Sequence, residues 1–465
     1  MRIFSMATAL WLCCTAAQAT AAPAEHEANG PSWKSAAYAL EPGKPIHLHS
    51  VASADGRGAA ATLLLERFQV LASDAKIRID GGEPVALDTR FARTYLTGRL
   101  QGEPDSRATL IVGERGDVRG LVISGDRMIA LAENPAGALV MTEIAEDPEP
   151  REFSCGSEAG LTPPPTALAP GALSQPIRGA PAGGFTARLA IETDYEYFQL
   201  FGNVTDAITY TADLIAFSST VYQAEAETAL GISSLSLWTQ SNDPWTQNDT
   251  LCSLFEFGKH WNDNNTDVER SIAHFISGKD IGGGVAWVGV LCRNEFDVRQ
   301  FDCPSLPELS NFGGDYGVSM GLDGNFDIQS PSSVWDIVVV AHEIGHNFNS
   351  PHTHCYAGLE GNAEPVDRCY TDQPGDFCVS GAASLPGPAG EGSGTIMSYC
   401  HFRSGGMSNI GLTLGLDHPY GIAPERVPNR MLAHVIDRES AVPSCLTTPL
   451  GDPNQIFDDG FELLQ

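Results

Sequence analysis

Basic residues are scarce in this sequence. Only 27 lysines and arginines face 58 aspartates and glutamates, which leaves a formal charge of −31 at pH 7. With no basic patch to offset that balance, the charge opposes binding to nucleic acid or anionic membrane, and neither a nucleic-acid partner nor membrane insertion is expected. What remains is a well-solvated acidic surface, or one that steers basic substrates. Long apolar runs are lacking as well: past the first twenty or so residues nothing reaches the ~20 uninterrupted apolar residues that a membrane span requires. Apolar residues are nonetheless ample for a core, at 42% of 465 residues, a length that could hold about three average domains.

The N-terminus carries Arg2, an apolar run through Leu10, Trp11 and Leu12, and small residues at Ala17-Gln18-Ala19 or Ala19-Thr20-Ala21. This is the pattern of a secretory signal peptide over residues 1–21. A lipoprotein reading through Cys13 or Cys14 competes, but the preceding Leu-Trp-Leu lacks the small residues such processing needs. Of eleven cysteines, removal of Cys13 and Cys14 leaves nine, in an exported and therefore oxidising setting. Cys252, Cys292, Cys303, Cys355, Cys369, Cys378, Cys400 and Cys445 could form four disulfides, with the pairing undetermined. Cys155 is left over.

Residues 25–150 read as all-β. Ile46 and Leu48 alternate with polar neighbours, 63–70 is an apolar run, and 108–112, 118–123 and 128–131 are short strands. Gly113-Glu114-Arg115-Gly116 and Ser124-Gly125-Asp126 supply the turns of a meander. His47 and His49 share a strand face with no third ligand in view, and read as surface residues. Residues 161–184 are rich in proline, alanine and glycine without periodicity, which marks a linker exposed to proteolysis, with Arg178 as one candidate cut. Beyond it come a strand at 185–191, a helix at 205–229 ended by Gly231, a strand at 235–238, and a helix at either 252–261 or 268–277. His260 and His274 there read as structural.

The most informative stretch is His342-Glu343-Ile344-Gly345-His346-Asn347-Phe348-Asn349-Ser350-Pro351-His352. Ser333 reads as a helix N-cap with Asp336 three residues on, and Val338, Val339, Val340 and Ala341 continue a buried helix. Histidines four apart then share one helix face and can reach one metal ion, with Glu343 beside it. Asn349 stands where the helix must end in a left-handed residue, which asparagine tolerates next best to glycine. The reversal would bring His352 back to the metal. Three neutral imidazoles leave a fourth position open for water, the catalytic pattern of zinc binding.

These residues, with the later Gly394-Thr395-Ile396-Met397-Ser398-Tyr399, resemble the metzincin metalloproteases, whose signature is HExxHxxGxxH followed by a methionine turn. The wording around His352, and the stretch from Gly284 to Cys292, are most similar to the adamalysin or reprolysin-like group. Two departures stand out: Asn349 replaces the glycine, and Thr353 occupies a position where that group has aspartate. The resemblance implies an α/β (α+β) catalytic domain over residues 185–445, with an active-site helix and an irregular C-terminal subdomain, preceded by an all-β prodomain over 22–160. It implies Zn(2+) held by His342, His346 and His352, Glu343 as general base, and Met397 as a packing floor. Substrate would pair with an edge strand at Ala286, Trp287, Val288 and Gly289. Tyr399 matches a position where some metzincins place a zinc-associated tyrosine; a pocket-wall role is the alternative. His354 competes with His352 for the third ligand position, and His401, His418 and His434 have no ligand spacing.

Cys155, at the end of the prodomain and followed by Gly156, resembles a zymogen cysteine switch; a buried free thiol or a bridge to the catalytic domain are the alternatives. The resemblance thus implies a secreted, latent zinc endopeptidase acting on proteins or peptides, activated by another protease or by itself. A silent binding protein of the same fold, or a zinc hydrolase acting on something else, are the other classes. No glycine- and aspartate-rich calcium repeats follow the motif, which sets the serralysins aside. Residues 446–465 form an acidic tail, either a sorting tag or a disordered end.

Overall fold

The computed structural model describes residues 23–30, 32–56, 59–85, 93–113, 116–125, 127–144, 154–155, 184–300, 302–325 and 334–447. The expected signal peptide, the linker apart from Gly184, the helix cap Ser333 and the tail beyond Thr447 lie outside these residues.

The N-terminal region is β-rich. It comprises β1 (Ala24–Glu27), α1 (Ser32–Ala39), β2 (Pro45–Ser53), β3 (Ala61–Phe68), β4 (Leu71–Ile79), β5 (Arg93–Leu100), β6 (Arg107–Gly113), β7 (Val118–Ser124), β8 (Arg127–Glu133) and β9 (Leu139–Glu143). All the strands but β4 form one sheet in the order β1-β2-β3-β5-β6-β7-β8-β9, and the last strand closes back on the second where Ala52 and Ser53 pair with Val140 and Met141. The expected meander is present in β5 through β9. Two features depart from an all-β reading. Ser32–Ala39 is helical, because Trp33 and Ala37, four apart, share one face and plug the interior against Ile46, Leu48 and Leu110. And β4 abandons its neighbours for a different sheet.

That second sheet is built by β10 (Ser154–Cys155), β11 (Phe185–Thr193), β12 (Thr228–Leu237), β13 (Ile272–Ile276), β14 (Gly283–Ala286) and β17 (Tyr316–Met320), in the order β10-β14-β17-β13-β11-β12-β4. Between them run α2 (Tyr195–Phe201), α3 (Val204–Ala226), α4 (Thr250–Asn264) and a two-stranded ribbon of β15 (Phe296–Arg299) and β16 (Leu309–Gly313). After the sheet come α5 (Trp335–Asn347), a long irregular stretch, α6 (Arg426–Ala441) and β18 (Leu446–Thr447), which pairs with β11. The expected tail therefore begins two residues later, as its first two residues are held in the sheet. Strand β14 is antiparallel to β17, while β4, β12, β11, β13 and β17 are parallel. Helix α4 settles the choice in favour of the earlier segment, since Ile272–Ile276 is a strand buried at every position.

Helix α3 is buried nearly all round from Ala207 to Tyr222, the mark of a helix covered on both sides. It ends at Ala226 and not at Ala229: Glu227 takes a left-handed φ of 49° and its N–H bonds Tyr222 O. Gly231 then falls inside β12. Among the described residues four disulfides form, Cys252–Cys303, Cys292–Cys445, Cys355–Cys378 and Cys369–Cys400. Among the described residues no helix is long and apolar enough to cross a membrane.

One buried carboxyl sets a pH dependence. Burial pushes Glu192 up to about 8, although Trp238 donates to its Oε1 at 2.7 Å. Between its unfolded value near 4.5 and about 8, the folded chain holds a proton the unfolded chain has lost, so stability falls as pH rises across that window. The limiting slope is about 1.4 kcal/mol per pH unit. Glu192→Gln is expected to flatten it, as read by denaturant unfolding at pH 5.5 and 7.5; an unchanged slope would show the carboxyl to be ionised throughout.

Candidate metal centre

Helix α5 carries His342, Glu343 and His346, and every residue of it is buried. Its expected cap takes another form: Val334 occupies the cap with no side-chain hydrogen bond. Asp336 instead accepts from the backbone N–H groups of Asp323 and Gly324 and from the Tyr210 hydroxyl, which ties the helix to the loop before it and to α3. At the far end Asn349 has φ 77°, the left-handed conformation its position demands. Arg430 Nε holds Asn349 O at 2.7 Å, fixing the reversal. The chain returns so that one ring nitrogen each of His342, His346 and His352 lies within 4.8 Å of the others, all three side chains buried.

Each imidazole is oriented from behind. Nδ1 of His342 bonds Ile396 O, that of His346 bonds Ser350 O, and that of His352 bonds Gln373 Oε1, all at 2.7 Å. Because these partners are oxygen acceptors, Nδ1 carries the proton and Nε2 presents its lone pair to the centre. Burial lowers all three imidazole pKa values, that of His346 to about 4, so the rings are neutral at neutral pH. Nε2 of His352 is buried with no hydrogen-bond partner. A buried, unpaired lone pair facing two neutral imidazoles fits a soft-to-borderline divalent cation such as zinc.

Met397 lies beneath the helix. Its sulfur packs where a side chain on Gly345 would stand, so the helix approaches the methionine only because residue 345 is glycine. Met397 O accepts from Thr353 N at 3.1 Å and from the Thr353 hydroxyl at 3.3 Å. Near Thr353, Asp367 is buried and accepts from Cys369 N at 2.9 Å. Tyr399 is fully buried with its ring centroid 4.4 Å from that of His352. His354 stands outside the three-histidine group and bonds Gln373 Oε1 through Nε2 at 2.6 Å. His274 bonds Ser319, His47 and His49 both bond Glu25, and none of them joins the centre.

The expected edge strand lies earlier than its sequence suggests. Only Ala286 belongs to β14; Trp287, Val288 and Gly289 follow it in a turn. Trp287 N donates to Tyr316 O and Gly289 N to His346 O, so these amides face the protein and not an incoming strand. The outer edge of β14 is paired in parallel with β10, Cys155 standing opposite Gly284. A side chain on Gly284 would come within 2.6 Å of Glu343 Cγ and Oε1, so this strand lies directly against the glutamate. Gln373 and Asp367 were not legible beforehand, since both sit in a loop-rich stretch with no periodicity. Gln373→Ala is expected to weaken zinc binding about 10- to 100-fold, measured by competition with a chromophoric chelator. Unchanged affinity would mean that Gln373 does not orient His352.

The three histidines form a group that could hold a metal ion, with Glu343 on the same helix. Residues 185–408 match a reprolysin-type family model described as metallo-peptidase family M12. Among solved structures, the crystal structure of metalloproteinase-II from Bacteroides fragilis matches with a TM-score of 0.33 and 11% identity, over 70% of this chain and 88% of that one. No curated protein matches.

Proposed function

We propose that this chain is a secreted zinc-dependent endopeptidase, made latent and opened by proteolysis. The observation that carries the reading is the convergence of three buried, neutral imidazoles beside Glu343, each with its Nδ1 engaged by an oxygen acceptor. His342, His346 and His352 would hold the ion. Bound there, zinc supplies the chemistry that lowers the pKa of a water toward ~7 and polarises a carbonyl. Glu343 accepts the proton of the attacking water and returns it to the leaving amine. An extended peptide pairs its backbone with the outer edge of β14, whose main-chain groups give affinity while neighbouring side chains select residues. Tyr399, its ring against His352, is assigned to the metal's surroundings or to the transition state.

Latency is assigned to Cys155. The backbone of β10 already occupies the edge that a substrate would take, in register with the glycine beside Glu343. A thiolate is a soft zinc ligand that competes with water for the fourth position. Four disulfides and the N-terminal signal pattern support export.

The test incubates a mixed protein substrate with full-length protein and with protein cut in the linker, each with and without a zinc chelator. Cleavage by the cut form alone, abolished by chelator and restored by zinc, is expected. A cut form that binds zinc yet cleaves nothing across a broad peptide library would replace the peptidase with a binding protein.

A further inference from the structure

Among the described residues the N-terminal region meets the metallopeptidase segment in contacts of very unequal extent. At the candidate active site the contact is β10, two residues paired with Gly283 and Gly284. On the opposite side of the sheet order, β4 is the seventh strand: Leu71 pairs with Ile232, and the run from Lys76 to Ile79 pairs with that from Ser234 to Leu237. The loop after β4 extends this seam, with Asp80 accepting from Thr239 N at 2.6 Å and from its hydroxyl at 2.7 Å. Arg188 on β11 bonds Asp74 at 2.6 Å.

Helix α3 adds a second surface. Asp213 is fully buried; Arg93 approaches it at 3.4 Å, Arg119 at 3.5 Å, and the Tyr95 hydroxyl donates to it at 3.2 Å. All three belong to the N-terminal region. Three turns on, Glu225 takes Arg107 at 2.5 Å on one oxygen, while the other accepts the backbone N–H groups of Leu414, Gly415 and Leu416. Midway, Thr109 donates to Thr220 at 2.8 Å. Beneath these polar contacts Val70, Ile77, Tyr95, Ile111 and Leu121 share one continuous core with Leu189, Leu214 and Ile232. Separation would expose an apolar face and a strand edge, and would strip a buried carboxylate of its cations, the loss that slows dissociation of charged interfaces most.

We infer that residues 23–144 stay bound to the metallopeptidase segment after the linker is cut, so that the opened form is a two-chain protein in which only the β10 segment has to leave the β14 edge. This rests on the zymogen reading for the occurrence of the cut and for what leaving the edge achieves. Retention itself follows from the contacts.

The experiment uses the full chain as Glu343→Ala, to prevent self-digestion, with a site-specific protease sequence inserted within residues 161–183. After cutting at neutral pH, both fragments are expected in one peak on size exclusion, and amides of β12 are expected to stay protected from hydrogen exchange while those of β14 exchange at least tenfold faster than β12. In Arg93→Ala/Arg119→Ala the fragments should part roughly 30-fold faster or more. Separation of the unsubstituted fragments, or loss of β12 protection upon cutting, would overturn the inference. Because this variant is not required to cleave anything, failure of the peptidase reading leaves the result intact.

Discussion

Glu343→Gln in the cut, zinc-loaded protein is expected to lower the peptide cleavage rate by about 10²- to 10⁴-fold, the range that loss of a positioned general base produces. The amide keeps the shape and burial of the carboxylate, so the helix and its histidines should hold their places. It cannot accept a proton. Zinc content, measured by mass spectrometry on the same preparation, is expected to stay near one ion per chain, since Glu343 is not among the three converging ligand groups. A variant that retains most of its activity would remove Glu343 from the mechanism. One that loses zinc together with activity would make it a ligand or a structural support.

His352→Ala should act through the metal. The three ring nitrogens share one small space, and a site reduced from three donors to two loses most of its affinity for zinc. An ion that binds only the folded state stabilises it by about 4 kcal/mol at a thousandfold excess over its Kd. Zinc is therefore expected to raise the melting temperature of the unsubstituted protein by several degrees, and that of His352→Ala hardly at all. His418→Ala is the control, because His418 bonds Ser393 O and does not converge with the three. Equal zinc responses in the unsubstituted protein and in His352→Ala would place the third ligand elsewhere.

The convergence of the three histidines was legible because its constraints are local. A spacing of four on a helix and a left-handed residue at Asn349 are both consequences of backbone geometry over eleven residues, and the structure has both. The strand at Phe185–Thr193 was similarly carried by a short-range apolar pattern, whereas the helix at Thr250–Asn264 was one of two segments that the pattern allowed. What could not be read depended on distant partners. Nothing in the sequence of Leu71–Ile79 says that it pairs with β12 and not with a strand of its own meander, because alternation fixes which face is buried and not which neighbour is taken. Gln373 acquires its place behind His352 only when a loop of some twenty residues folds back. The edge strand was placed too late because apolar residues at Trp287 and Val290 continue past Ala286, where the backbone has already turned inward to bond α5.

The Cys292–Cys445 bridge joins the turn beyond β14 to the residue just before β18, a separation of 153 residues. His342, Glu343, His346, His352 and Met397 all lie between those two cysteines, so the whole site sits on one covalent ring. A ring has no free ends: a single backbone break anywhere within it leaves both pieces fastened to each other, and only a second break releases a fragment. The irregular stretch from 356 to 425 therefore tolerates a nick that would cost an open chain its methionine. Where proteases reach the chain, releasing a piece of the ring then takes two cuts where an open chain needs one.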